Sequence, residues 1–205
     1  MSTVSFSTST FAQPPFPVRR FTVDEYERMT AAGVLSEADA VELLEGWIVP
    51  KMPKYPPHDG TIDLIAALLT SLLPPGYFVR VQNSLRTPDS EPEPDLAVVR
   101  GKPGDYRRRH PTGKDTVLVI EVADSTLSRD RMKARIYARA EVPNYWIVNL
   151  PELKLEQHSQ PKPGDEQAAY QAQKTLAARQ EAELKFDDVH ELRLPLDEIL
   201  ASLDA

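Results

Sequence analysis

The sequence predicts an α/β fold, and three stretches carry that prediction. Residues 116–122 read TVLVIEV, β-branched and apolar on both faces, the pattern of a strand buried inside a sheet. Residues 58–73 repeat Ile62, Ile65, Ala66, Leu69 and Leu72 at helical spacing and stop at Pro74-Pro75-Gly76. Between residues 116 and 150 the apolar strand is followed by a basic helical stretch and then by a second apolar strand, NYWIVNL.

The other elements follow along the chain. Residues 1 to about 19 are rich in Ser, Thr and Pro and lack periodicity, which predicts a disordered tail, with a single domain over residues 20–205. Thr22 with Glu25 three residues on predicts a capping box that opens a helix from residue 23 to about 32, stopped at Gly33. In AVELLEGWI, the positions of Val41, Leu43, Trp47 and Val49 suggest two short strands about a turn at Glu45-Gly46; a helix ending at Gly46 competes with that reading. Pro53, Pro56 and Pro57 make a loop ahead of the long helix. Residues 77–81 (YFVRV) alternate, and residues 96–99 (LAVV) form a strand after the acidic, Pro-rich turn SEPEPD. A helix over residues 128 to about 141 must end before Pro143. Residues 144–150 form a buried strand and residues 154–158 an exposed one. Residues 167–183 suit a helix by their Ala and Gln content, yet Tyr170–Leu176 suits an edge strand equally; a short helix closes the chain over residues 196–203.

Composition narrows the chemistry. The chain of 205 residues suffices for one domain with a core and is short for two. It holds no cysteine, so disulfides, thiolate metal sites and a cysteine nucleophile are excluded. Any metal site must use carboxylates, carbonyls, waters or the four histidines, a set that suits Mg²⁺ or Mn²⁺ better than zinc. No apolar run reaches the length of a membrane span and the start does not read as a secretory signal, so the cytoplasm is the expected location. A net charge of −7 argues mildly against a broad nucleic-acid-binding surface. Arg107, Arg108, Arg109 and His110 make a local basic patch, which reads first as a solvated loop and second as a phosphate contact.

Three candidate site residues lie in the order strand, strand, helix. Glu121 interrupts the doubly apolar strand, where an ionised carboxylate costs several kcal/mol unless it is paired or metal-bound. A strand end reaching solvent, or an ion pair with an arginine, would also account for it. Asp95 follows Pro94 and taken alone is a turn residue. Set beside Glu121 on an adjacent strand, it could complete a divalent-cation pair. Lys133 follows Asp130 by three residues and precedes Tyr137 by four, so the three share a helix face. Either Lys133 forms a surface pair with Asp130, or it reaches the carboxylates to orient an attacking water and stabilise a phosphoryl transition state.

At these residues the chain resembles the Uma-two-type family of bacterial restriction-endonuclease-like proteins. The matching stretches are VELLEGWIV, the PD of EPEPDLAVV, and VLVIEVADSTLSRDRMKARIYARAEVPNYWIVNL, within a resemblance over about residues 20–200. It implies a restriction-endonuclease-like PD-(D/E)XK core, a mixed central β-sheet flanked by helices, and divalent-metal-dependent cleavage of DNA. Carried over, Asp95 and Glu121 match the metal-binding acidic pair, and Glu42 matches an early acidic residue that completes the site; an exposed Glu before a turn is the other reading of Glu42. Glu45 reads as a turn residue. The E-X-K lysine falls at Ala123 in this chain, so the resemblance assigns that role to Lys133 on the next helix, ahead of Arg131 and Arg135. Where relatives read E-V-x-S-P-S-T this chain has EVADSTLS, which adds Asp124 three residues after Glu121. His58 also matches a family position, as a helix-terminal residue or a general base.

The expected function is therefore a Mg²⁺- or Mn²⁺-dependent endonuclease acting on DNA. The alternatives are a catalytically inactive nuclease-fold module that binds nucleic acid and a protein-interaction module. A homodimer would present two sites to a duplex.

Overall fold

A strand with apolar residues on both faces needs cover on both, and that requirement organises the molecule. The computed structural model describes residues 17–164, 167–186 and 191–200. The predicted tail lies outside them up to residue 16, as does the predicted closing helix beyond residue 200.

Helix α1 (Val23–Ala31) opens with the predicted capping box, Thr22 accepting from the Glu25 amide and the Glu25 carboxylate accepting from the Thr22 amide. Strands β1 (Val41–Leu44) and β2 (Trp47–Pro50) pair as an antiparallel hairpin, so the two-strand reading of AVELLEGWI holds over the helical one. Both turn residues are left-handed, Glu45 at φ 48° and Gly46 at φ 77°, as a two-residue hairpin turn demands. Glycine is required at position 46 for space as well, since a Cβ there would stand 2.5 Å from the Arg20 Cβ.

Helix α2 (Pro56–Leu72) starts two residues before the predicted point, because proline at the first helical positions loses no hydrogen bond there. Strands β3 (Tyr77–Val81), β4 (Leu96–Arg100), β5 (Thr116–Ala123), β6 (Asn144–Asn149), β7 (Lys154–Lys162) and β8 (Ala169–Ala177) form one six-stranded sheet in sequence order. Strands β5 and β6 pair in parallel and the other neighbours pair antiparallel, which makes the sheet mixed. Helix α3 (Leu127–Arg139) bridges the parallel pair.

The predicted strand over residues 154–158 is longer and less exposed than expected. It lies between β6 and β8, with Leu155 and His158 buried. The undecided segment after it is strand: β8 edges the sheet, and β9 (Glu181–Lys185) pairs with β10 (Glu191–Pro195) as a hairpin ahead of the short helix α4 (Leu196–Ile199). Each face of β5 has its cover. Leu118, Ile120 and Val122 pack with α2, β9, β10 and α4, whereas Val119 and Ala123 pack with α3. Strand alternation therefore turns Glu121 toward α3.

Candidate active site

The sheet register brings the two predicted acids together. Leu96 of β4 faces Ile120 of β5 in an antiparallel ladder, and one further step sets Asp95 opposite Glu121. Like charges directly opposed across strands repel, so the pair needs compensation.

For Asp95, an Oδ2 atom accepts from the Val122 amide at 2.9 Å and stands 3.2 Å from His58 Nε2, on the first turn of α2. Burial would raise the Asp95 carboxyl, but these bonds and the nearby charges of His58 and Lys133 hold it below its ordinary value. His58 is raised in turn: burial works against its proton, and Asp95 and Asp59 outweigh burial.

For Glu121, the partner is Lys133. Asp130, Lys133 and Tyr137 are all buried on the sheet-facing side of α3, as their spacing predicted. Lys133 Nζ lies 3.1 Å from Glu121 Oε1 and 3.4 Å from Glu42 Oε1, and Tyr137 donates its hydroxyl to Glu121 Oε1 at 2.8 Å. The surface pair with Asp130 is thus replaced by a buried one with two glutamates, and the Asp130 carboxylate accepts from Thr126 at 2.6 Å. Burial pushes the Glu121 carboxyl above its ordinary value; Lys133 opposes that push, and Asp95, Asp130 and Glu42 add to it. Burial alone would lower Lys133, yet Glu121, Glu42 and Asp130 together hold its ammonium above the ordinary value.

Glu42 reaches the site from the β1–β2 hairpin and is 4% exposed, which rules out the reading of it as a solvent-facing turn residue. Its Oε1 accepts from Arg129 Nη2 at 2.9 Å and its Oε2 from the Glu93 amide at 3.2 Å. The hairpin is fixed to the segment before β4 by a bond from the Glu91 amide to the Leu43 carbonyl, 2.8 Å.

Asp95, Glu121, Glu42 and Lys133 thus open on one cleft of about 70 Å³. Asp124 and His58 line it too. Position 123, the place of the E-X-K lysine, holds a fully buried Ala123 packed toward α3, so the cation comes from the helix above. Arg131 and Arg135 are turned elsewhere, to Glu156 and Glu45 respectively. Glu45 is a turn residue that also holds Arg139 at 3.2 Å. In the basic patch, Arg107 and Arg108 are exposed, Arg109 is bound bidentately to Asp115 at 2.7 and 3.0 Å, and none of the three lines the cleft.

Sequence reasoning missed two side chains. Arg129, the second cation on Glu42, stands one helical turn before Lys133, and that spacing was the available signal. Tyr137 was placed on the right face without its bond to Glu121 being foreseen.

The oxygen-only donors suit a hard divalent cation. Among the described residues no three His, Asp or Glu groups stand close enough to hold an ion by themselves. Two carboxylates with waters and phosphate oxygens make up a coordination shell usual for Mg²⁺, and Asp95 and Glu121 offer such a pair.

A crystal structure described as "a putative nuclease belonging to DUF820 from Anabaena variabilis" superposes with a TM-score of 0.66, covering 88% of this chain and 98% of that one at 15% identity. At that identity the likeness establishes the fold. No curated protein matches. A family model described as Uma2, "Putative restriction endonuclease", matches residues 23–197. With nearly all of the described chain inside that match, the protein belongs to the Uma2 family of restriction-endonuclease-like proteins.

Proposed function

We propose that the protein is a divalent-metal-dependent endonuclease that hydrolyses DNA phosphodiester bonds. One observation carries the proposal: Glu42, Asp95, Glu121 and Lys133, from a hairpin, two sheet strands and a helix, converge on one cleft. Four buried carboxylates, Asp130 included, cost much stability, and a protein that keeps them has a use for concentrated negative charge.

Asp95 and Glu121 would hold Mg²⁺ or Mn²⁺, with Glu42 as a further oxygen donor. When bound, the ion supplies charge stabilisation at phosphorus and a lowered pKa for coordinated water. Lys133 contributes from the chain itself. Its ammonium donates to Glu121 at 3.1 Å and lies 3.4 Å from Glu42, and a remaining N–H would serve the attacking water or a phosphate oxygen. His58 holds Asp95 ionised and oriented. The Tyr137 hydroxyl donates to the Glu121 carboxylate and fixes its orientation. Water adds to phosphorus, the bond to the leaving sugar oxygen breaks, and the proton of the water ends on that oxygen.

The second reading is a nuclease-fold module that binds nucleic acid and does not cut it. The observation that favours it is Lys133 itself, whose ammonium bridges two of the acids the ion would use.

Incubation of plasmid and single-stranded DNA with Mg²⁺, Mn²⁺ or chelator separates the readings, with Glu121→Ala and Lys133→Ala run alongside. The endonuclease reading expects nicking that chelator and both substitutions abolish. Calorimetry with Mn²⁺ should show weaker binding by Glu121→Ala; an affinity equal to that of the unmodified protein overturns the ligand assignment.

A further inference from the structure

The rim of the cleft carries a feature that hydrolysis itself does not require. Residues 51–55, KMPKY, join β2 to α2, and all five line the cleft. Tyr55 is 54% exposed and Met52 45% exposed, an aromatic ring and a thioether held at the mouth of a charged site.

The cations of the same rim are mostly committed. Lys51 is paired with Glu93 at 2.6 Å and Arg129 with Glu42 at 2.9 Å, while Lys133 is buried between Glu121 and Glu42. Among the described residues Lys54 is the exposed rim lysine with no carboxylate partner. Backbone amides add little, because Pro56 and Pro57 remove two N–H groups from the start of α2 and Asp59 puts a negative charge in its first turn. Duplex DNA is bound by neutralising many phosphates along a broad surface. A rim with one available lysine, on a chain of net charge −7, is poorly equipped for that. A single strand asks for less: a narrow cleft, one or two phosphate contacts and an aromatic face on which an unpaired base can stack.

We infer that Tyr55 and Lys54 form a nucleotide subsite for single-stranded DNA, Tyr55 stacking a base beside the cleft and Lys54 contacting an adjacent phosphate. The inference deepens the endonuclease reading and rests on it for the identity of the ligand. It makes the substrate an unpaired strand: a flap, a gap or a displaced strand.

The test is fluorescence anisotropy of a labelled oligothymidylate and of a blunt duplex of equal length, with the full chain in chelator so that nothing is cut. The single strand should bind more tightly than the duplex. Tyr55→Ala should weaken it roughly tenfold to a hundredfold, Tyr55→Leu similarly, and Tyr55→Phe hardly at all. Lys54→Ala should lower the slope of log affinity against log salt by about 0.7. Equal affinity of Tyr55→Ala and the unmodified protein overturns the subsite, as does a duplex bound as tightly as the single strand, or no binding of the single strand. Nicking of the single-stranded DNA measured in Mg²⁺ keeps the two proposals apart. Nicking with an indifferent Tyr55 removes the subsite and leaves the endonuclease; Tyr55-dependent binding without any cleavage does the reverse.

Discussion

At the scale of the residue, Lys133 decides most. Its ammonium lies within 3.4 Å of both Glu121 and Glu42, and all three are buried. Lys133→Ala leaves Glu121 without its cation while Glu42 keeps Arg129, so thermal melts should show a loss of about 3–5 kcal/mol at neutral pH, the usual result of breaking a buried pair. The double variant Lys133→Met with Glu121→Gln removes both charges and should recover much of that loss. If the double variant melts lower than Lys133→Ala, the pairing is not what holds these groups. In the cleavage assay Lys133→Ala should cost about 10²–10³ in rate, the scale of losing one transition-state donor. Glu121 was legible in the sequence because burial on both faces of TVLVIEV left its charge nowhere to go. Glu42 became legible through the family resemblance; no property of VELLEG alone says that its second residue is buried by a segment some fifty residues downstream, as its bond from the Glu93 amide shows.

The elements were read best where local chemistry and tertiary need coincide. The capping box of α1 formed as read, and Thr22→Ala should lower stability by about 1 kcal/mol without touching the cleft, measurable by denaturant titration. The β1–β2 turn formed at Glu45-Gly46, and Gly46→Val should be far worse, since it forces a β-branched residue into a left-handed conformation against Arg20. Because that hairpin delivers Glu42, activity should fall along with stability; a Gly46→Val protein with full activity would show that Glu42 is dispensable. Residues 167–183 were undecidable for a physical reason. Their Ala and Gln favour helix, and what makes β8 a strand is its ladder with β7, from Lys154 opposite Ala177 to Lys162 opposite Ala169, which no local window contains. The proline limit at residue 143 was easier to place, because it acts through the chain itself, whereas Pro56 and Pro57, read as loop, open α2.

For the whole molecule, pH dependence follows from where the acids are buried. Glu91 sits between α1 and the hairpin, 6% exposed, with its Oε2 lacking a partner among the described residues. Burial, with the charge of Glu27 added, pushes its carboxyl up to about 7 from 4.5. Above the lower value the unfolded chain releases a proton that the folded chain retains. Stability from this group is therefore greatest below about 4.5 and is lost as pH rises toward 7. Asp115 works in the opposite sense. Its bonds from Arg109 hold it well below 3.8, so its contribution is present above that value and lost on acidification. Melting temperature should peak in mildly acidic buffer and decline toward neutrality. Glu91→Gln should flatten the decline and melt higher at pH 8; an unchanged slope between pH 5 and 7.5 would assign the decline to other groups. Nothing in SEPEPD announced this burial, because a run of acids and prolines reads as solvated until another element folds over it.

The ammonium held between Glu121 and Glu42 also bears on the order of events in the life of the molecule. Chains that gather acids around an ion commonly fold only once the ion arrives, their repulsion being unrelieved before then. Here relief is encoded in the polymer, twelve residues after the glutamate it serves. A newly made chain can close its sheet, seat its helix and persist through scarcity of divalent cations, with the acids already in place. Under the metal-dependent mechanism proposed above, supply of the ion would govern when the molecule works and leave untouched whether it exists as a folded protein.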